Sequence, residues 1–102
     1  MDDELTLRTS RDGRTATVAA AGEIDLSNVD ELRAAATAAA EGADTLRLDL
    51  DGVDFIDSAG LAVLLELRST LHARGVTLTI EAGAGPVRSA MEITGLSELL
   101  AS

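Results

Sequence analysis

Between Leu46 and Ala73 the hydrophobic pattern changes period, and that change limits the possible folds more than any other feature of the chain. Leu46-Arg47-Leu48-Asp49-Leu50 alternates apolar and polar residues, as a strand with one buried face does. Beyond Val53-Asp54-Phe55-Ile56-Asp57 the spacing turns helical from Ser58 to Ala73. Leu61, Leu64, Leu65 and Leu71 lie along one side, and Val63 and Leu67 widen the stripe. Arg74-Gly75 ends the helix, and Val76-Thr77-Leu78-Thr79-Ile80 alternates again. A strand, a long helix and a second strand make a crossover, which is right-handed when both strands share a sheet.

The flanking segments extend this pattern. Leu5-Thr6-Leu7-Arg8-Thr9 alternates, and Arg11-Asp12-Gly13-Arg14 carries an Asp-Gly turn, a strong hairpin signal. Thr15 to Ala21 is expected to return antiparallel, with Gly22 closing the strand and opening the acidic loop Glu23-Ile24-Asp25. A helix capped by Ser27 or Asn28 follows, with Asp30 and Glu31 in the first turn, where the dipole favours negative charge. Val29, Leu32, Ala36 and Ala39 recur at helical spacing, and Gly42 is placed to end the helix. Gly85-Pro86 opens a third helix with proline where its missing N–H costs nothing. Val87, Ala90 and Met91 line its inner side, Gly95 ends it, and Ser97 to Leu100 forms one more short turn. The expected class is α/β: one domain over residues 1–102, with a small mixed four-stranded sheet in the order β-β-α-β-α-β-α. Because the strands alternate, helices are expected mainly on one face.

Charge and residue usage exclude several functions. Eight basic against 18 acidic residues give a net charge of −10, which argues against direct nucleic-acid or anionic-membrane partners. All the basic residues are arginine, so Schiff-base chemistry and a P-loop lysine are excluded. Without cysteine there are no disulfides and no thiolate metal sites. No apolar run approaches the roughly 18 residues of a membrane span, and Met1-Asp2-Asp3-Glu4 is the opposite of a signal peptide. A cytoplasmic protein is expected.

Ser58 could act as a nucleophile only with a base in reach. The sole histidine, His72, lies on the same helix, roughly 21 Å further along its axis at about 1.5 Å per residue. No triad can be assembled, so no enzyme is expected. Glu23, Asp25, Asp54 and Asp57 could converge at one end of the sheet. A Mg²⁺ site of the receiver-domain kind would also need a lysine, so neither a metal nor a cofactor is expected. Gly83-Ala84-Gly85 reads as a turn, since Pro86 removes an N–H that a phosphate loop would use. Asp57 and Ser58 are both good helix caps. Gly60, in the first turn, costs about 1 kcal/mol relative to alanine. Its bare backbone serves either close helix–sheet packing or the surface of a partner.

Asp57-Ser58-Ala59-Gly60-Leu61 at a strand-to-helix turn resembles the phosphorylation motif of STAS-domain anti-sigma factor antagonists. Gly22-Glu23-Ile24-Asp25 resembles that family's second signature, the loop between its second strand and first helix. Gly75 to Ile80, and Val87 to Leu96 with its closing Thr94-Gly95-Leu96, resemble the family's C-terminal half. The resemblance covers nearly the whole chain in the right order. It implies the small α/β STAS fold, with Ser58 as phosphoacceptor and Glu23, Asp25, Ser27, Asp57 and Gly60 as partner-binding residues. The implied partner is an anti-sigma factor that is itself an ATP-dependent serine kinase, and a phosphoserine phosphatase resets the switch. Unphosphorylated protein would hold the anti-sigma factor and free the sigma factor, and phosphorylation would release it. A second expectation keeps the fold without the switch: a STAS subunit of a larger complex, such as a phospholipid-transport ATPase, in which the motif persists as packing.

Overall fold

A computed structural model describes residues 5–100, and the acidic start from Met1 to Glu4 lies outside the described residues. The elements are β1 (Thr6–Asp12), β2 (Thr15–Ile24), α1 (Val29–Ala39), β3 (Thr45–Ile56), α2 (Ser58–Ala73), β4 (Thr77–Glu81) and α3 (Pro86–Ile93), followed by a 3₁₀ turn at Ser97–Leu99. The strands lie in the order β1-β2-β3-β4. β1 and β2 are antiparallel, joined by the two-residue loop Gly13-Arg14, where Gly13 takes φ 64. β2–β3 and β3–β4 are parallel, with α1 and α2 as their crossovers.

One face of the sheet carries the core. Val18, Leu46, Leu48 and Ile80 are fully buried, while Thr17, Arg47 and Thr79 between them keep contact with solvent. The mixed sheet with its helices mainly on one face is therefore the architecture that alternation predicted. α1 buries Val29, Leu32, Ala36 and Ala39, the residues its spacing singled out. In α2 the buried stripe is Gly60, Val63, Leu64, Leu67 and Leu71, whereas Leu65 is 47% exposed and Leu61 half-buried. Leu61 and Leu65 extend the apolar side of this helix beyond the buried stripe, so spacing alone did not fix which residues face inward.

The strands run further than alternation suggested. β3 continues past Leu50 to Ile56, and β2 continues through Gly22 to Ile24. Pairing between them shifts register at Ala19/Ala21 and again at Gly22/Glu23, with Gly22 at φ 110. Such irregularities let extra residues enter without breaking the sheet. The buried positions of β3 become Leu50, Val53 and Ile56, a spacing that hides the strand from a period-two search.

Helix ends follow local chemistry, with one exception. Gly75 and Gly95 take φ 79 and 82, and Val76 and Leu96 donate back to the Leu71 and Met91 carbonyls at 2.8 Å. α1 has no basic residue in its last turn; instead Arg11, on β1, donates to the carbonyls of Ala39 and Glu41. Arg33 ties α1 to Glu66 on α2 at 2.7 Å, and Arg14 pairs with Asp44 at 2.7 Å. Hydrogen bonds from these arginines hold the Asp44 and Glu66 carboxyls below the usual range. Both pairs are exposed, so their contribution, present at neutral pH and lost as acid protonates the carboxylates, is small.

Candidate functional site

The long parallel ladder brings two loops together at the C-terminal ends of β2 and β3. Its last rungs pair Glu23 with Phe55 and Ile24 with Ile56, and the Asp57 N–H donates to the Ile24 carbonyl at 3.2 Å. Ser58 follows as the exposed first residue of α2, and no hydrogen bond holds its hydroxyl among the described residues. Asp57 is the cap. Its backbone is extended, at φ −99 and ψ −174, and its carboxylate accepts from the Gly60 N–H at 3.0 Å. Asp57→Ala should therefore cost about 0.5–2 kcal/mol of stability. Ser58→Ala should stay within about 0.5 kcal/mol, as surface changes do. Urea melts of the two variants measure this; the opposite ranking would assign the cap to Ser58.

Gly60 is buried, and a Cβ built on it would lie 2.6 Å from Ile56 Cγ1 and 2.8 Å from Ile24 Cγ2. Of its two possible roles the structure selects close helix–sheet packing. Gly60 thus lies beneath the exposed head of α2 and lets the helix settle onto the last rung of the ladder.

The acidic loop is held by its own side chains. The Asp25 carboxylate accepts from the Ser27 N–H at 2.9 Å and from the Ser27 hydroxyl. Neither Ser27 nor Asn28 caps α1 through its side chain, contrary to expectation. Asn28, only 7% exposed, instead spans the loop: its Oδ1 accepts from the Asp25 N–H at 3.0 Å and its Nδ2 donates to the Glu23 carbonyl at 2.9 Å. Sequence reasoning gave Asn28 only a cap's role, since nothing local shows it turning back toward the strand. Asn28→Ala leaves both backbone groups short of a partner and should cost about 1–3 kcal/mol. Faster hydrogen exchange at Asp25 is the local readout, and unchanged exchange there would contradict the assignment.

The four carboxylates that could have converged, Glu23, Asp25, Asp54 and Asp57, do not form a metal-holding group among the described residues. Among the described residues no three His, Cys, Asp or Glu side chains stand close enough to hold a metal ion. Glu23 and Asp54 lie near the ends of β2 and β3 and Asp25 and Asp57 just beyond them, and none joins an ion pair among the described residues. His72 is exposed in the last turn of α2, at the far end from Ser58. Two large apolar side chains at this end of the sheet face solvent: Leu26, in the loop after β2, at 77% and Phe55, near the end of β3, at 46%. Sequence reasoning passed over Leu26. Its signal was an apolar residue between Asp25 and Ser27 that belongs to no buried stripe. No helix among the described residues is long and apolar enough to cross a membrane.

The fold is shared with known proteins. No curated protein matches this chain in sequence. Among solved structures, an anti-sigma factor antagonist from Mycobacterium paratuberculosis is similar with a TM-score of 0.81 and 24% identity, covering 96% of this chain and 84% of that one. Unphosphorylated SpoIIAA, an anti-sigma factor antagonist, is similar with a TM-score of 0.80 and 21% identity, covering 94% and 86%. The phosphorylated form of SpoIIAA, the Bacillus cell fate determinant, gives a TM-score of 0.73 and 20% identity, covering 94% and 89%. At these identities the likeness establishes the fold. A family model described as "Mlab, STAS domain" matches residues 7–101, and with the mixed sheet, the crossover helices and the serine at the head of α2 in place, the chain belongs to the STAS domain family.

Proposed function

We propose that this domain is an anti-sigma factor antagonist, a binding module controlled by phosphorylation of Ser58. With Ser58 unmodified it holds an anti-sigma factor, an ATP-dependent serine kinase, and frees the sigma factor for transcription. The kinase's phosphate on Ser58 breaks the complex, and a phosphoserine phosphatase resets it. The domain works in the cytoplasm as substrate and ligand, without catalysis of its own. One observation carries this reading. Ser58 is exposed at the head of a helix whose cap is supplied by its neighbour, so its hydroxyl is committed to nothing and can be modified without breaking an internal contact. The likeness to SpoIIAA in both its forms supports it, since the same fold accommodates the modification there.

A second reading has its own support. Asp57 and Gly60 both act inside the fold, so the Asp-Ser-Ala-Gly-Leu string would persist in a STAS subunit of a larger complex, such as a phospholipid-transport ATPase, with Ser58 never modified. Incubation with candidate kinases and ATP, followed by mass spectrometry, separates the two. Phosphate is expected on Ser58 and absent from Ser58→Ala. Phosphate on Ser10, Ser27 or Ser69 would remove the assignment, and no incorporation from any kinase would favour the subunit.

A further inference from the structure

A hollow of about 380 Å³ opens between the C-terminal half of α2 and the start of β4, at the opposite end of the helix from Ser58. Its floor is apolar and buried, made by Val76, Leu78 and Leu99, and Leu65, 47% exposed, adds an apolar wall. The polar lining is Arg68, Ser69, His72 and Thr77. Each of these side chains can donate a hydrogen bond, two of them are basic, and no carboxylate is among them. In a chain of net charge −10 that composition is local to this hollow.

The backbone adds a further donor. The Thr77 N–H donates inward, to the Asp44 carbonyl at 2.9 Å, and backbone groups of successive strand residues point to opposite sides. Leu78 therefore turns its N–H to the outer edge of β4, the last strand of the sheet. The chain's own Leu100 meets that edge at Ile80, and no hydrogen bond reaches Leu78 from that side among the described residues. Glu98, outside the lining, pairs with Arg68, but a guanidinium has five donors and can serve a second acceptor. His72 joins no ion pair among the described residues. An apolar floor with a few convergent polar groups is the make-up of a small-molecule site, and this volume is at the low end for one.

We propose that the hollow binds a small aliphatic or aromatic carboxylate, its apolar body on Leu65, Val76, Leu78 and Leu99 and its charge toward His72 and Arg68. A cationic ligand would meet like charge there, and a purely apolar one would bury donors without partners. The site is independent of Ser58 and of the proposed switch.

The test titrates the isotope-labelled chain with octanoate, octanol, octylamine and acetate. Octanoate should shift the resonances of Leu65, His72, Leu78 and Leu99 saturably, and bind about tenfold or more tightly than each of the other three. His72→Gln and Arg68→Gln should each weaken octanoate more than octanol. Leu65→Asp, which sets a carboxylate in the wall, should abolish octanoate binding. All three positions are exposed, and thermal melts confirm that the variants fold. Shifts centred on other residues, equal affinity for octanol or octylamine, or octanoate binding unchanged in all three variants would overturn the proposal. So would the lack of saturable binding at millimolar octanoate.

Discussion

Phosphorylated at Ser58, the protein should bind the proposed anti-sigma partner orders of magnitude more weakly while melting within a few degrees of the unmodified form. Inside the domain two small terms oppose each other. A phosphate brings about −1.5 to −2 charges at pH 7. At the head of α2 that charge meets N–H groups that Asp57 leaves free and the positive end of the helix dipole, worth about 0.3–1 kcal/mol in favour of the helix. The carboxylates of Glu23, Asp25, Asp54 and Asp57, without ion pairs among the described residues, repel it, but through solvent, where such terms are equally small. Across a docked interface the balance is different. A partner shaped for a neutral hydroxyl must desolvate a dianion without new counter-charges, and truncation of comparable interfacial pairs costs about 2–5 kcal/mol. On the scale of about 1.4 kcal/mol per decade, that is roughly 30- to several-thousand-fold in affinity. Calorimetric titration of both forms, with melting curves and hydrogen exchange on α2, measures each half of the statement. Unravelling of α2 on phosphorylation would mean that the switch is conformational and that the interfacial account is wrong.

Gly60→Leu should destabilise the fold itself, although helix propensity alone predicts the opposite. Leucine is the better helix former by up to about 0.8 kcal/mol, so an isolated first turn would gain from the exchange. In the folded protein even the first added carbon meets Ile56 and Ile24 at distances below van der Waals contact, and leucine adds three further carbons to it. Overpacking of this kind costs about 1–3 kcal/mol, occasionally more, and outweighs the propensity term. For a domain of this size each kcal/mol lowers the melting temperature by about 4–8 °C. Gly60→Ala should show the same sign with a smaller amplitude. A Gly60→Leu protein that melts at or above the parent temperature would show that the contact yields freely, and would return Gly60 to the partner surface.

Much of this molecule was legible from local chemistry. The buried face of α1, the bounds of α2, the proline at the head of α3 and the glycines after α2 and α3 all follow from interactions within about four residues along the chain. The same locality makes Ser58 the residue at the head of a helix, whatever packs around it. Tertiary structure decided what depends on residues distant in sequence. β3 was longer than its alternation because a register shift against β2 changes which side chains point inward. Asp57 rather than Ser58 became the cap because the ladder to Ile24 holds the Asp57 backbone extended. Gly60 faces Ile24 and Ile56 because two strands end side by side beneath α2. Leu65 is exposed because β3 and β4 receive the opposite side of its helix. Charge shows the division most clearly. Composition fixes a net −10, but only the fold pairs Arg14, Arg33, Arg47, Arg68, Arg74 and Arg88 with carboxylates other than those of Glu23, Asp25, Asp54 and Asp57. Pairing is a property of distances in space, and a one-dimensional pattern does not contain them.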